Sequence, residues 1–287
     1  MNVQWYPGHM TKAKRQMQED IKLIDLIIEL VDARVPLSSR NPDIDELGKN
    51  KSRLILLNKS DLADERQNEA WKTYFQAKGF YVVKVDSRNG SGMKAINNVI
   101  QEACKEKIER DRRRGIKNRP IRAMVVGIPN VGKSSFINRM AQSKRAKVED
   151  RPGVTRNKQW VKIGDNMELL DMPGVLWPKF DDQEVAKRLA FTGAIHDDIM
   201  DLESLAMLLL EYLAQHYPEA LQARYKMQEA QLQGDGLQLL EQLGRNRGML
   251  ISGGEVNYER AAITILDEFR SGKLGRITLE WPEAKEV

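Results

Sequence analysis

Two short motifs occur in this chain in the reverse of their usual order, and that order restricts the topologies open to it. Gly127-Ile128-Pro129-Asn130-Val131-Gly132-Lys133-Ser134 fits the phosphate-cradling pattern GxxxxGK[ST]. Asn58-Lys59-Ser60-Asp61 fits NKxD, a pattern that reads guanine. In a nucleotide-binding domain of ordinary order the phosphate loop comes first and NKxD near the end. Here NKxD comes first, which predicts a circularly permuted domain: the same core with its chain ends moved.

The residue chemistry supports both assignments. Gly127 and Gly132 let the backbone fold around phosphates with its N–H groups turned inward, and the helix that follows adds a favourable dipole. The loop residues Val131 and Gly132 would bind through their backbone. Lys133 would meet the β- and γ-phosphates, Ser134 would ligate Mg²⁺ through its hydroxyl, and Ser135 would reach nearer the α-phosphate. The Asp61 carboxylate can accept N1–H and N2–H₂ of guanine, whereas adenine offers an acceptor at N1 and leaves that carboxylate unpaired. Lys59 can lay its apolar stem over the base, Asn58 can bond the base edge and brace the phosphate loop, and Ser60 belongs to the same nucleotide-binding set. In Asp86-Ser87-Arg88, Ser87 and Arg88 take the place of a segment whose backbone meets the guanine carbonyl. Asp171-Met172-Pro173-Gly174 fits DxxG, so Asp171 would hold the Mg²⁺ shell, directly or through water, and the Gly174 N–H would meet the γ-phosphate. Thr155, between the phosphate loop and DxxG, is expected to ligate Mg²⁺ when GTP is bound.

Near-continuous apolar runs at 24–31, 53–57, 81–85, 123–126 and 167–170 read as buried parallel strands. Residues 160–163 pair with 167–170 through Gly164-Asp165-Asn166 as a hairpin, giving one antiparallel strand. Helical patterns at 11–21, 64–78, 92–109 and 133–141 alternate with them. The fold class is therefore α/β: a doubly wound, mostly parallel six-stranded sheet followed by an all-α domain. The expected division is 1–180 for the nucleotide domain, with an N-terminal arm at 1–22 and a linker at 110–120, and 181–287 for a helical domain that is expected to bind RNA. Helices are expected there at 183–191, 202–215, 219–231, 237–243 and 257–271. In the last of these Tyr258, Ala262, Ile265 and Phe269 share a face that reads as core. Each motif follows a strand, so all can converge beyond the carboxyl edge of one sheet.

Charge and cysteine content narrow the function. One cysteine, Cys104, excludes an intramolecular disulfide and a cysteine zinc site, and points to a cytoplasmic protein. No signal-peptide core, prenylation box or membrane-length apolar run is found, so no membrane partner is expected. The net charge is +5, unevenly spread: residues 105–122 hold nine basic and three acidic side chains, and 143–162 seven and two. Such clusters suit a polyanion such as RNA. A monomer is expected.

Trp5-Tyr6-Pro7-Gly8-His9-Met10, Val31-Asp32-Ala33-Arg34-Val35-Pro36 and Ser38-Ser39-Arg40-Asn41-Pro42 add to the motif order. Together they resemble the bacterial ribosome biogenesis GTPase A family, also called YlqF, strongly over residues 1–180 and more loosely beyond. The resemblance implies a factor that binds the immature large (50S) subunit through rRNA and ribosomal proteins, hydrolyses GTP and leaves late in assembly. It also implies that a hydrophobic residue replaces the catalytic glutamine. Val175 and Leu176 follow Gly174 and cannot orient water, so His9 becomes the candidate for that task. In related GTPases with a GxPNxGKS loop the Asn matching Asn130 ligates K⁺ beside the phosphates. Arg151 and Arg156 flank Thr155 and read as RNA contacts in preference to arginine fingers.

Overall fold

The computed structural model describes residues 9–116, 119–143, 147–149, 160–176 and 182–282. Contacts divide them into two units. The described residues up to 176 fold together with 278–282, and residues 182–277 form the second unit.

The first unit opens with helix α1 (His9–Asp20), which passes through a 3₁₀ turn into strand β1 (Leu26–Asp32). There follow α2 (Asp43–Leu47), β2 (Ser52–Asn58), α3 (Glu65–Ala77), β3 (Tyr81–Lys84), α4 (Met93–Ala103), α5 (Lys105–Arg113), β4 (Ile121–Gly127) and α6 (Lys133–Ser143). A short strand β5 (Lys147–Glu149) precedes the hairpin of β6 (Trp160–Ile163) and β7 (Met167–Asp171). The sheet order is β3-β2-β1-β4-β7-β6-β5. The pairs β3/β2, β2/β1, β1/β4 and β4/β7 are parallel, while β6 runs antiparallel to both its neighbours. All six expected strands form, and β5 adds a seventh at the edge.

β1 is buried along its whole length, as a central strand covered on both faces must be. The chain leaves β1 to one side for β2, and β4 lies on its other side, so the strand order reverses between β1 and β4. Ligands of open α/β sheets bind beyond the carboxyl ends of the strands at such a reversal. Leu30 of β1 lies level with Gly127 of β4, and Asp32 of β1 with Asn58 of β2, so the motif segments leave the sheet at nearly one height.

Two local expectations shift. The single helix expected over 92–109 breaks at Cys104, which is not helical and caps both α4 and α5. Buried Ile96 and Ile100 hold α4 on the sheet, whereas the charged α5 buries only Asp111 and can take a different course. The linker then starts at 114, because α5 continues to Arg113.

In the second unit α7 (Gln183–Phe191), α8 (Leu202–His216), α9 (Pro218–Tyr225), α10 (Gly236–Asn246) and α11 (Tyr258–Arg270) form an all-α assembly. Asp182, Asp201, Asp235 and Asn257 start α7, α8, α10 and α11, each side chain accepting from a backbone N–H of the first turn. Leu205, Leu209 and Leu213 of α8 are buried, as are Leu239, Leu240 and Leu243 of α10 and Ala262, Ile265 and Phe269 of α11. The apolar stripe of the last helix is thus core, with Tyr258 half-buried. The helix expected over 219–231 ends at Tyr225, where Lys226 turns left-handed (φ 59°), and a 3₁₀ segment follows at Glu229–Gln233. Glu268 of α11 accepts from Arg224 and from the Tyr225 hydroxyl, which ties α9 to α11. No helix among the described residues is long and apolar enough to cross a membrane.

One charge lies where a central strand would be expected to carry an apolar residue. Glu29 of β1 is 1% exposed and accepts from Arg40 (3.0 Å) and Arg53 (2.9 Å). The two guanidinium groups also lie over the Phe80 ring, at 4.9 and 5.0 Å. Removing the carboxylate leaves buried Arg40 and half-buried Arg53 with only Asp45 as an ion-pair partner. Glu29→Ala is expected to cost about 3 kcal/mol, the scale for breaking a buried ion pair from one side. Urea unfolding followed by tryptophan fluorescence measures it, and a loss under about 1 kcal/mol would show that Asp45 alone suffices.

Candidate guanine-nucleotide site

The carboxyl ends of β2, β3, β4 and β7 carry four of the sequence motifs, and Asn58 joins three of them. Its Nδ2 donates to the Val131 carbonyl (2.8 Å), inside the phosphate loop. Its Oδ1 accepts from the Ser87 N–H (3.1 Å) and the Ser87 hydroxyl (2.9 Å), after β3. Asn58 is only 2% exposed, so these bonds are made without competition from water. Gly132 has φ 102°, and a Cβ there would lie 2.4 Å from Asn58 Nδ2. Position 132 therefore needs glycine twice over, for its backbone and for the passage of Asn58.

The phosphate loop runs from β4 directly into α6, whose first residue is Lys133. Asn130 turns left-handed (φ 58°) within it. Lys133 Nζ folds back to donate to the Gly127 (3.1 Å) and Ile128 (3.0 Å) carbonyls. Burial pushes its pKa down to about 8 against the opposing pull of Asp171. Burial likewise raises the Asp171 carboxyl, while Lys133 draws it back. Gly174 approaches from the β7 side: a Cβ there would stand 2.9 Å from Lys133 Nζ and 3.0 Å from Pro129 N. A side chain at 174 would fill the space above the lysine. A desolvated ammonium, a glycine-lined hollow and a helix N-terminus fit a phosphate chain. Ser134 and Ser135 are exposed on the first turn of α6, within the same corner as Asp171. A hydroxyl and a carboxylate fit Mg²⁺, which takes few protein ligands and completes its shell with phosphate oxygens and water.

On the base side Lys59 turns left-handed (φ 57°) and points its ammonium at Asp32 Oδ2 (3.0 Å). Asp32 is 2% exposed and also accepts from both Nε (2.9 Å) and Nη2 (2.8 Å) of Arg34. Burial opposes ionisation of Asp32, but Arg34 and Lys59 outweigh it and hold the carboxyl well below its usual range. Burial lowers the Lys59 pKa, with Asp32 opposing. Ser60 bonds the Val85 carbonyl through both N–H (3.1 Å) and hydroxyl (3.0 Å), fixing NKxD to the end of β3. Asp61 is exposed, and partial desolvation of its carboxylate together with the nearby Asp86 raises its pKa. Asp86 shapes the next segment by accepting from the Arg88 (2.8 Å) and Asn89 (3.3 Å) N–H groups. Arg88 is exposed at the rim, and its carbonyl accepts from Arg139 of α6.

Asn58, Lys59, Ser60, Asp61, Ser87, Arg88, Asn130, Val131, Gly132, Lys133, Ser134, Asp171 and Gly174 thus surround one corner of the sheet. Val175 and Leu176 are buried, and Val175 N–H reaches back to the Gly127 carbonyl (3.4 Å); neither side chain carries a group that could orient water. Thr155, Arg151 and Arg156 lie outside the described residues, and so does the side chain of His9, whose backbone begins α1. Sequence reasoning did not assign a role to Asp32 or Arg34. The signal was an Asp-x-Arg at the end of a largely apolar strand, where charges must find partners.

A protein-family profile described as a 50S ribosome-binding GTPase matches residues 122–232. That match begins at β4 and leaves out NKxD, which precedes it in this chain. The chain is similar to the ribosome biogenesis GTPase A of Bacillus cereus, with 50% identity over 99% of this chain and 95% of the relative. It is also similar to that of Priestia megaterium, with 49% identity over 100% and 99%. Among solved structures, a GDP-bound YlqF matches with a TM-score of 0.70 and 25% identity, over 94% of this chain and 100% of the other. Full-length similarity at this identity, with the permuted motif order and the matching sheet, establishes that the chain belongs to the ribosome biogenesis GTPase A family.

Proposed function

We propose that this protein binds GTP with Mg²⁺ at the Asn58 corner, hydrolyses it, and acts in late maturation of the large ribosomal subunit, leaving the particle on hydrolysis. One observation carries the nucleotide reading: a single buried amide ties phosphate loop, NKxD and the 86–88 segment into one concave edge. The relatives named above, called ribosome biogenesis GTPases, support the rest.

The roles follow from position. Asp61 accepts from guanine, with Lys59 lying along the base and the Ser87 and Arg88 backbone at its carbonyl. The β- and γ-phosphates take the place of the two carbonyls that now occupy Lys133. Ser134, Asp171 and, in the GTP state, Thr155 hold Mg²⁺, which neutralises the charge of the phosphate oxygens. Gly174 offers its N–H to the γ-phosphate, and Ser135 meets the α-phosphate. Asn130 holds K⁺ as a further positive charge there. Inward burial of Val175 and Leu176 leaves the attacking water to be oriented from elsewhere. His9, on the arm that leads into β1, is the group assigned this task. Lys14 of α1 bonds Asp43 (2.8 Å), on the return from the carboxyl end of β1, before α1 descends to the start of β1. His9 lies five residues before Lys14 in the same helix, about 7 Å along its axis. The basic runs at 105–122 and 143–162 supply the affinity for rRNA.

Intrinsic turnover is expected to be slow and to rise by orders of magnitude on adding purified 50S subunits, since partner stimulation in other GTPases reaches about 10⁵-fold. His9→Ala should abolish the stimulated rate while leaving GTP affinity intact. A rate indifferent to 50S, or co-sedimentation with 30S or tRNA instead, would overturn the ribosomal assignment.

Asp61→Asn exchanges an acceptor for a donor and should move nucleotide preference from GTP towards XTP in competition binding; an unmoved preference would remove the guanine assignment. The raised Asp61 pKa adds a pH dependence. Only the ionised carboxylate accepts both guanine N–H groups. GTP affinity is therefore full at neutral pH and falls on acidification, starting above the usual carboxylate range.

Replacing K⁺ by Na⁺ should slow hydrolysis severalfold, because K⁺ and Na⁺ differ in the coordination distance they need. Equal rates in the two salts would remove the role given to Asn130.

A further inference from the structure

The last described residues do not belong to the helical unit that precedes them. Residues 278–282 lie along the nucleotide unit instead, bonded to the turn after β1 and to α3 with its cap Asp64. Leu279 N–H donates to the Arg34 carbonyl (2.8 Å). The Glu280 carboxylate accepts from the Leu37 N–H, from the Ser38 N–H (2.9 Å) and from the Ser38 hydroxyl (2.5 Å). The Glu280 carbonyl accepts from Trp71 Nε1 (3.0 Å), and Thr278 Oγ1 accepts from the Asp64 N–H (3.1 Å). Thr278, Leu279 and Glu280 are at most 4% exposed. A buried carboxylate used this way is no surface decoration, since losing its donors would leave a desolvated charge.

The turn so gripped is the one that holds Asp32. Val35 N–H bonds the Asp32 carbonyl (2.9 Å), Ser39 Oγ accepts from the Asp32 N–H (2.9 Å), and Arg34 clamps the Asp32 carboxylate. Asp32 in turn fixes the Lys59 ammonium. The series from Glu280 through residues 34–38 and Asp32 to Lys59 is continuous in hydrogen bonds and chain.

We propose that residues 278–280 are a strap that positions the guanine pocket, with Glu280 acting through the 34–38 turn and Asp32 on Lys59. The inference rests on the reading of NKxD as the guanine site. Without the strap the turn loses its anchors at both ends, Asp32 and Arg34 gain freedom, and the Lys59 stem no longer lies fixed beside the base. The loss falls on recognition of the base and spares the phosphates, which meet the loop after β4. Glu280 is a positioning residue, because it touches no ligand.

The test uses the full chain and mant-GDP, with affinity and dissociation rate read by fluorescence. Glu280→Gln keeps the shape of the side chain but puts an amide donor among three donors. It should weaken mant-GDP binding by about tenfold, mainly through faster release, the scale of coupling among residues of one network. Ser38→Ala, which removes one donor, should give a smaller loss in the same direction and carries the test if Glu280→Gln does not fold. Two readouts separate positioning from general loosening. In a Lys59→Ala background, Glu280→Gln should add no further loss. Competition by inorganic pyrophosphate, which has no base, should be unchanged in Glu280→Gln. Equal losses in both backgrounds, weakened pyrophosphate binding, or mant-GDP affinity within about twofold of wild type would each overturn the strap. Asp61→Asn serves as the control on the underlying reading. If that variant leaves guanine preference unmoved, the base site itself is misassigned; if it moves preference while Glu280→Gln does nothing, only the strap falls.

Discussion

The nucleotide corner depends on one carboxamide. Asn58 spends its donor on the Val131 carbonyl and its acceptor on two Ser87 groups, across sequence separations of 73 and 29 residues. Removing it would leave a buried carbonyl and a buried N–H unpaired, at about 1–3 kcal/mol each. Neither aspartate nor leucine can replace it: the first lacks the donor and the second lacks both functions. This bond explains why permutation costs the site so little. What must be preserved is the meeting of three strand ends, and β2, β3 and β4 run parallel whichever of them the chain visits first. The connection that permutation adds, α5 and the residues up to Ile121, enters β4 at its amino end, on the opposite edge from the phosphate loop.

Around that amide the charges are arranged for geometry more than for stability. Asp32, Arg34, Glu29 and Arg40 are each at most 9% exposed, and burying ion pairs of this kind returns little net free energy against well-packed apolar residues. They do fix directions. A bidentate Arg34 leaves Asp32 Oδ2 one line of approach for Lys59, and Arg40 with Arg53 pins the 37–45 segment to the middle of β1 through Glu29. Lys133 is the exception. Its donors rest on two backbone carbonyls and its pKa is pushed down to about 8, so the phosphate loop holds a desolvated cation whose best acceptor is an anion.

How much of this could be read from residues alone depends on range. Runs such as 24–31 and 123–126 announce buried strands because they are apolar without interruption or nearly so, and the motifs that follow them carry their own local chemistry. All six of those strands form, with the hairpin at Gly164-Asp165-Asn166 where expected. The three residues of β5 have no such signal; pairing with β6 makes them a strand. The break at Cys104 was equally silent, since α5 remains a good helix former and only its burial changes. Least legible was the tail. Thr278, Leu279 and Glu280 follow a helical unit in sequence and look like its continuation, and what assigns them elsewhere is the match of one carboxylate to Ser38 and one carbonyl to Trp71, more than 200 residues away.

Buried Val175 and Leu176 bear on how such a protein would be controlled. A glutamine after Gly174 would carry the means of hydrolysis inside the switch segment itself. Apolar residues packed inward instead hold that segment to β4, through Val175 N–H and the Gly127 carbonyl and through Met172 N–H and the Val125 carbonyl (3.2 Å). Residues 172–176 carry no polar side chain, so a group that directs water must come from outside this segment.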